Sequence, residues 1–293
     1  MTNLQISKTL DPMNREVIED YLLDLNEKGK SSKTIETYKK VLEKLLLFCD
    51  KPVKDVIPKD VFEFLHMNYG EKKATTYCRN YWIIKSFTTF CQVEGYTDRV
   101  LIKKRWRYKV PESLPKSLTK NEQAQLKIKA EELSVRDRAI KELLKSSGCR
   151  RKELLNLNIE DVDLEDRVAN VIGKGNKPRE VEFSEECSFL LKKYLKTRQD
   201  DNPALFISRL GRRLSESRLY KIIKQLGESA GFKDRITPHI FRHTYATNEY
   251  SKGNQLSKIG RKMGHANLRA TTIYAHIPTD ELSSDYNKKM GGI

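Results

Sequence analysis

A single change of hydrophobic period constrains this chain more than any other feature. Apolar residues recur at three- and four-residue spacing almost throughout, and only between residues 167 and 183 does the pattern turn to alternation. A chain of that kind builds helices, with room for one small β element. Arg167-Val-Ala-Asn-Val-Ile172 and Arg179-Glu-Val-Glu-Phe183 read as strands, and Gly173-Lys-Gly-Asn-Lys-Pro178 between them is turn chemistry. Lys174 and Lys177 therefore ride on a hairpin tip. The order GxxxxGK[S/T] is absent and the loop leads into a strand, so this is not a nucleotide phosphate loop.

Four helices precede that hairpin. Asp11-Pro12 starts the first, with Ile18, Tyr21, Leu22 and Leu25 on one face and Gly29 at its end. Ser32 caps a second, striped by Ile35, Tyr38, Leu42, Leu45 and Leu46. A third begins near Pro58, with Val61, Phe62 and Leu65 inward. A fourth runs from about 74 to 94 through Tyr77, Tyr81, Ile84 and Phe87. Residues 12–97 thus form a small helical domain whose aromatics are core. Lys39, Lys40, Lys72, Lys73, Arg79 and Lys85 are its candidates for phosphate contacts.

Residues 98–117 read as an interdomain linker. Six of the eleven residues from Arg99 to Lys109 are basic and none is acidic, and Pro111 and Pro115 disfavour helix. The charge density favours a strap across a nucleic-acid backbone, through Lys103, Lys104, Arg105 and Arg107, with Trp106 and Tyr108 packing or stacking. Helical periodicity resumes in a second domain, 118–280. Thr119 and Ser134 cap its first two helices, Ser215 starts a later one, and another runs through Phe189, Leu190 and Tyr194. Residues 281–293 form a tail, where Leu282, Tyr286 and Met290 make a short apolar stripe.

The net charge of +16 favours a polyanionic partner, because Lys and Arg near phosphates release condensed counterions. The five cysteines are odd in number and lack CxxC spacing, as expected of reduced, buried thiols in a cytosolic protein. Residues 1–10 lack the apolar core of a signal peptide, and no run approaches the roughly 18 apolar residues of a membrane span. The expected location is the cytoplasm, on the nucleoid, with no membrane association.

The chemistry gathers between residues 237 and 274. Thr237 caps a helix with Pro238 at its first position, and His239 and Arg242 share a face near its positive end, where a phosphate would sit well. His239 and His243 have a spacing that zinc could use, but Ile240 stands where a zincin needs glutamate, so no metal is expected. His243 reads as a packing residue. Arg150 opens a helix against the dipole, which suggests an anion there, and Glu153 lies one turn on to hold it. His66 and His276 stay unassigned.

The set Ser147-Gly148-Cys149-Arg150…Glu153-Leu154, Gly173-Lys174-Gly175-Asn176-Lys177, His239-Ile-Phe-Arg242-His243, Gly264-His265 and Thr272-Ile-Tyr274 resembles the tyrosine recombinase (phage integrase) family, most nearly its Xer branch with the archaeal members. Cys149 and Met263 depart from the apolar residues, usually leucine, expected beside the catalytic positions. The resemblance implies a mainly α protein: an N-terminal four-helix core-binding (SAM-like) domain, then a mostly helical catalytic domain with a small antiparallel β-sheet. It implies site-specific DNA strand exchange through a 3′-phosphotyrosyl intermediate without metal, ATP or other cofactor. Tyr274 would be the nucleophile. Arg150 and Arg242 would clamp the phosphate, and His265 would add a hydrogen bond to it. Lys174 would be the general acid for the leaving 5′-oxygen. His239 would help take the tyrosine proton or position the phosphate, and Glu153 would orient these groups. Lys177 would contact the DNA backbone.

The implied partners are double-stranded DNA carrying a recombination site and further copies of this chain, as a tetramer on synapsed DNA with tails exchanged between subunits. The expected role is Xer-like chromosome or plasmid dimer resolution, toward which the lack of a long N-terminal arm-binding domain leans. The alternative is the integrase of a mobile element. More distant readings are a type IB topoisomerase-like relaxing enzyme and a DNA-binding module without catalysis. Whether Tyr274 serves its own subunit or a neighbour stays open.

Overall fold

The computed structural model describes residues 10–110, 116–173, 175–264, 269–272 and 274, of which 269 and 270 are described by backbone alone. Lys174, His265, Pro111, Pro115, His276 and the tail 281–293 lie outside the described residues. The chain divides into two compact units, Met1–Glu112 and Ser113–Ile293.

The first unit holds four helices, α1 (Pro12–Glu27), α2 (Ser32–Cys49), α3 (Pro58–Tyr69) and α4 (Ala74–Val93). Asp11 caps α1 by accepting from the backbone of Met13 and Asn14. α2 is capped by Ser31, one residue before the serine expected to do so, through the N–H of Thr34. Tyr21, Leu42, Leu45, Phe64, Tyr81 and Ile84 close one core between them. Phe62, expected inward, is 41% exposed and leans on Trp106 with ring centroids 5.2 Å apart. Phe64 takes the buried place.

The linker expected over 98–117 needs correction. Leu101 and Ile102 are buried in the first unit's core, and Trp106 packs against it. Tyr108 stacks on Tyr77 at 3.8 Å, and its carbonyl accepts from Cys78 Sγ at 3.0 Å. The physical reason is apolar. Leu101, Ile102 and the two aromatics are outnumbered by charged residues, yet burial of Leu101 and Ile102 and the packing of Trp106 and Tyr108 fasten this segment to the helices. The basic residues Lys103, Lys104, Arg105 and Arg107 stay exposed along this packed segment.

The second unit contains α5 (Lys120–Ala130), α6 (Val135–Ser147), α7 (Arg151–Asn156), β1 (Val162–Asp163), β2 (Val168–Ile172), β3 (Pro178–Glu182), α8 (Glu185–Leu195), α9 (Glu216–Ser229), α10 (Pro238–Ser251), α11 (Leu256–Met263) and the short α12 (Arg269–Thr272). The strands form an antiparallel sheet in the order β1-β2-β3, with Ala169 opposite Val181 and Val171 opposite Arg179. β1 was not expected, since two residues are too few to show a period. Ala169, Val171 and Val181 face the core, which also takes Ala139, Ile140 and Leu143 of α6 and Leu191 of α8. Phe189 is 65% exposed, beside the buried Leu190 and Tyr194. A separate small cluster joins Ala246, Ile259, Met263 and Tyr274. It ties the residue beyond α12 to α10 and α11. Among the described residues no helix is long and apolar enough to cross a membrane.

Candidate active site

The site begins where α6 ends. Gly148 has φ +61°, a left-handed conformation that reverses the chain after Ser147. A Cβ there would stand 2.4 Å from the Tyr245 ring, so close packing also demands glycine. Arg150 follows as the residue capping α7. Its backbone N–H donates to Glu153 Oε2 at 2.6 Å, and its Nη1 donates to Oε1 at 2.7 Å. Glu153 thus answers both an unpaired N–H of the helix start and the guanidinium that opposes the helix dipole.

Thr237 caps α10 through the N–H of Ile240, with Pro238 at the first position. That sets Arg242 one turn inside, where it is 3% exposed. Arg242 Nη1 donates to the carbonyl of Gly148 at 2.7 Å, and its Nη2 to that of Met263 at 2.5 Å. Arg150 Nη2 reaches the carbonyl of Gly264 at 2.7 Å. Arg179, on β3, donates from Nε to the carbonyl of Lys262 at 3.0 Å. Three successive carbonyls at the C-terminus of α11 are therefore each held by a different arginine. Such carbonyls lack helical partners and carry the negative end of the dipole, so cations are suited to them. The backbone of residues 262–264 is fixed by this arrangement.

A cleft of about 440 Å³ opens beside these groups, lined by Arg150, Arg151, Tyr220, His239 and Arg242 among others. Its electrostatics favour an anion. Burial, then the nearby charge of Arg150, pushes Arg242 down to about 10, which still leaves it charged at neutral pH. Burial, with Arg242 and Arg150 adding to it, lowers His239. Burial pushes the Glu153 carboxyl up, but hydrogen bonds from Arg179 and from both the backbone and side chain of Arg150 outweigh it and hold the group at about 2.

Tyr274 is buried against α10 and α11. It is 1% exposed, and its hydroxyl is 2.8 Å from Nδ1 of His243. The His243 ring lies 4.7 Å from that of His239, one helical turn back on α10. Burial, and then the fields of His239 and Arg242, push His243 down to about 4. Burial raises the Tyr274 phenol, against the opposing pull of Arg242.

The structure thus brings Arg150, Glu153, His239, Arg242 and Tyr274 into one neighbourhood, while Lys174 and His265 lie outside the described residues. Two members were missed in the sequence. His243 was read as packing, although its place one turn from His239 puts it on the same face. Arg179 was read only as a strand residue. Its alternation with the buried Val181 was the available signal, since an inward-facing arginine needs a partner.

The expected phosphate contacts are scattered by comparison. Lys72, Lys73 and Arg79 are exposed at the end of α3 and on α4, and Lys177 is exposed in the β2–β3 loop. Lys39 and Lys40 pair with Glu43 at 3.9 Å and Glu36 at 2.6 Å, which blunts their local charge. Lys85 and Arg107 both lie over the Trp82 ring, at 5.1 and 5.8 Å. Among the described residues no three His, Cys, Asp or Glu side chains gather as metal ligands would.

Comparisons with known proteins agree with this geometry. The model of the phage integrase family matches residues 116–281, and that of the phage integrase N-terminal SAM-like domain matches residues 18–95. The tyrosine recombinase XerC of Thermodesulfovibrio yellowstonii is 34% identical over 277 residues, covering 89% of this chain and 91% of that protein. The tyrosine recombinase XerA of Pyrococcus horikoshii is 32% identical over 280 residues, covering 94% of each. A crystal structure of XerA recombinase superposes with TM-score 0.54 at 29% identity, over 94% of this chain and 98% of the other. XerH bound to its palindromic difH substrate in a post-cleavage complex shares the fold, with TM-score 0.73 at 20% identity over 98% and 91%.

Proposed function

Because the chain belongs to the phage integrase family and is a tyrosine recombinase of Xer type, we propose that its cleft takes a DNA phosphodiester and that Tyr274 attacks it. The observation that carries this reading is the convergence of Arg150, Arg242 and His239 on one cleft, with the Tyr274 hydroxyl held by His243, one helical turn from His239. A phenol is a poor nucleophile at neutral pH, so it needs a proton acceptor and an activated phosphate. The two guanidiniums supply the second. Each has five N–H donors, and the hydrogen bonds described above take two of them. The remainder serve the non-bridging oxygens and the charge that builds on the phosphorane-like transition state.

Lys174 protonates the leaving 5′-oxygen, and His265 adds a hydrogen bond to the phosphate. Glu153 locks Arg150 in its working rotamer. The bond energy is kept in the phosphotyrosyl link, so rejoining needs no nucleotide. Tyr274 acts in the site of its own chain, a reading supported by its contact with His243 of the same chain. The first unit grips duplex DNA through Lys72, Lys73, Arg79, Lys85, Lys103, Lys104, Arg105 and Arg107, and Lys177 adds a backbone contact beside the cleft. Four copies assemble on two recombination sites, and residues 281–293 dock on a neighbour. The biological role is resolution of chromosome or plasmid dimers, which the near full-length likeness to Xer recombinases supports.

The test is incubation with a nicked suicide substrate followed by denaturing electrophoresis. Wild type leaves a covalent protein–DNA band and Tyr274→Phe leaves none. A band that persists in Tyr274→Phe would sink the nucleophile assignment. Deleting residues 281–293 should weaken synapsis while leaving cleavage of a single site intact, and unchanged cooperative assembly would count against the tail.

A further inference from the structure

We propose that His243 is a catalytic residue, the direct proton acceptor for the attacking phenol and the donor that returns the proton on rejoining. The inference rests on Tyr274 being the nucleophile. The family resemblance implies His239 for this role. The geometry divides the two histidines. His239 lines the cleft with Arg150 and Arg242, on the side where a phosphate would sit. His243, one turn further along the same face of α10, has Nδ1 at 2.8 Å from the Tyr274 hydroxyl, the distance of a proton-transfer hydrogen bond.

The surroundings of His243 keep it neutral and also oppose the imidazolium, so the proton moves together with the forming O–P bond rather than ahead of it. Its neighbours on α10 are His239, with ring centroids 4.7 Å apart, and the charged Arg242, both of which disfavour a second positive charge. Thr247 donates its hydroxyl to the backbone carbonyl of His243, which leaves the ring nitrogens out of that bond. Across from it stands only the phenol among the described side chains that bond it. For this step the ring carries its proton on Nε2, the tautomer in which Nδ1 accepts from the phenol.

The step balances without any outside reagent. The Tyr274 Oη–H bond breaks and an Nδ1–H bond forms, giving an imidazolium. The electron pair left on Oη forms the O–P bond as the P–O5′ bond breaks, and the 5′-oxygen takes a proton from the general acid. In rejoining, the 5′-hydroxyl attacks the phosphotyrosine, its proton goes back to that acid, and the imidazolium of His243 returns its proton to Oη.

The experiment measures single-turnover covalent-complex formation on the suicide substrate for wild type, His243→Ala, His243→Asn and Tyr274→Phe, with DNA binding and thermal unfolding followed in parallel. Asparagine places Oδ1 near the position of Nδ1, so it keeps a hydrogen bond to the phenol but cannot take the proton. Both His243 variants should bind DNA as wild type does and cleave about 10²-fold more slowly. Full activity in His243→Asn would reduce the histidine to a positioning contact and overturn the proposal. Faster cleavage in His243→Ala would also overturn it, by making the contact a latch on the tyrosine.

A second measurement replaces Tyr274 with a fluorinated tyrosine, whose phenol gives up its proton more readily. The deficit of His243→Asn should then shrink by tenfold or more, which a purely structural defect would not do. An unchanged deficit would overturn the proposal even if the variants prove less stable. A covalent band in Tyr274→Phe would instead remove the nucleophile itself, so the two failures read differently.

Discussion

Arg179 closes a fork on Glu153, with Nη1 and Nη2 donating to Oε1 and Oε2 at 2.7 and 2.9 Å. The same guanidinium holds the Lys262 carbonyl through Nε. Glu153 is thereby shared between Arg150 and a strand that does not line the cleft. The pair is nearly dry, with side chains 13% and 3% exposed. Removing one partner of such a pair leaves an undercompensated buried charge, which typically costs about 3 kcal/mol or more. Arg179→Met should therefore lower the stability of the second unit by about that amount in chemical denaturation. Arg179→Lys should recover only part of it, since a point charge cannot serve two carboxylate oxygens and a carbonyl at once. Equal stability for Arg179→Lys and wild type would show that the fork carries no weight.

Glu153 also sets an acid limit. Its carboxyl sits at about 2 in the folded protein, below its ordinary value of 4.5. The unfolded chain therefore binds this proton more readily than the folded one. The stabilisation is complete above about pH 4.5 and is lost as pH falls toward 2. Acid unfolding of the wild type should show that dependence, and Glu153→Gln should be less stable at pH 7 with a flatter profile between pH 4.5 and 2. Parallel profiles for the two proteins would mean that other carboxylates govern the transition.

These two arginine contacts mark where the sequence stops being readable. Helix starts were legible because caps are local. Thr119, Ser134, Ser215 and Thr237 each accept from an N–H three residues on. The β2–β3 hairpin was legible for the same reason, and Arg150 and Arg242 were found by motif. Arg179, however, reaches 26 residues back to Glu153 and 83 forward to Lys262. His243 meets a tyrosine 31 residues away. Contacts of that range depend on how the helices dock, and no local period records them. The packed segment 98–110 was hidden differently, since its few apolar residues were outnumbered by charges that stay in solvent.

Gly148 offers a test of the turn that delivers both phosphate-clamping arginines to the cleft. Its φ of +61° disfavours any side chain, and an added Cβ would meet Tyr245 Cδ1 at 2.4 Å. Left-handed strain costs roughly 1–2 kcal/mol and overpacking about 1–3 kcal/mol. Gly148→Ala should thus destabilise the second unit by about 2–5 kcal/mol and slow cleavage, because its carbonyl also holds Arg242. Gly253→Ala is the comparison: φ is +83° but nothing lies within 4 Å of the new Cβ. It should cost only the strain, about 1–2 kcal/mol. Similar losses for both would remove the Tyr245 contact from the explanation.

Arg150 and Arg242 should fail in different ways when truncated, although both face the same phosphate. Arg242 is 3% exposed and satisfies the carbonyls of Gly148 and Met263. Arg242→Ala leaves two buried acceptors unpaired, at about 1–3 kcal/mol each, so it should lose stability as well as catalysis. Arg150 has a side chain 32% exposed, and Glu153 keeps Arg179 when Arg150 is gone. Arg150→Ala should therefore unfold closer to wild type. Its single-turnover cleavage should still fall by about 10²-fold, near 3 kcal/mol, by analogy with losing one preorganised donor to a developing oxyanion. Denaturation curves and single-turnover rates on the same two variants separate the roles. A cleavage rate for Arg150→Ala that recovers fully at saturating DNA would confine Arg150 to binding and contradict its place in the chemical step.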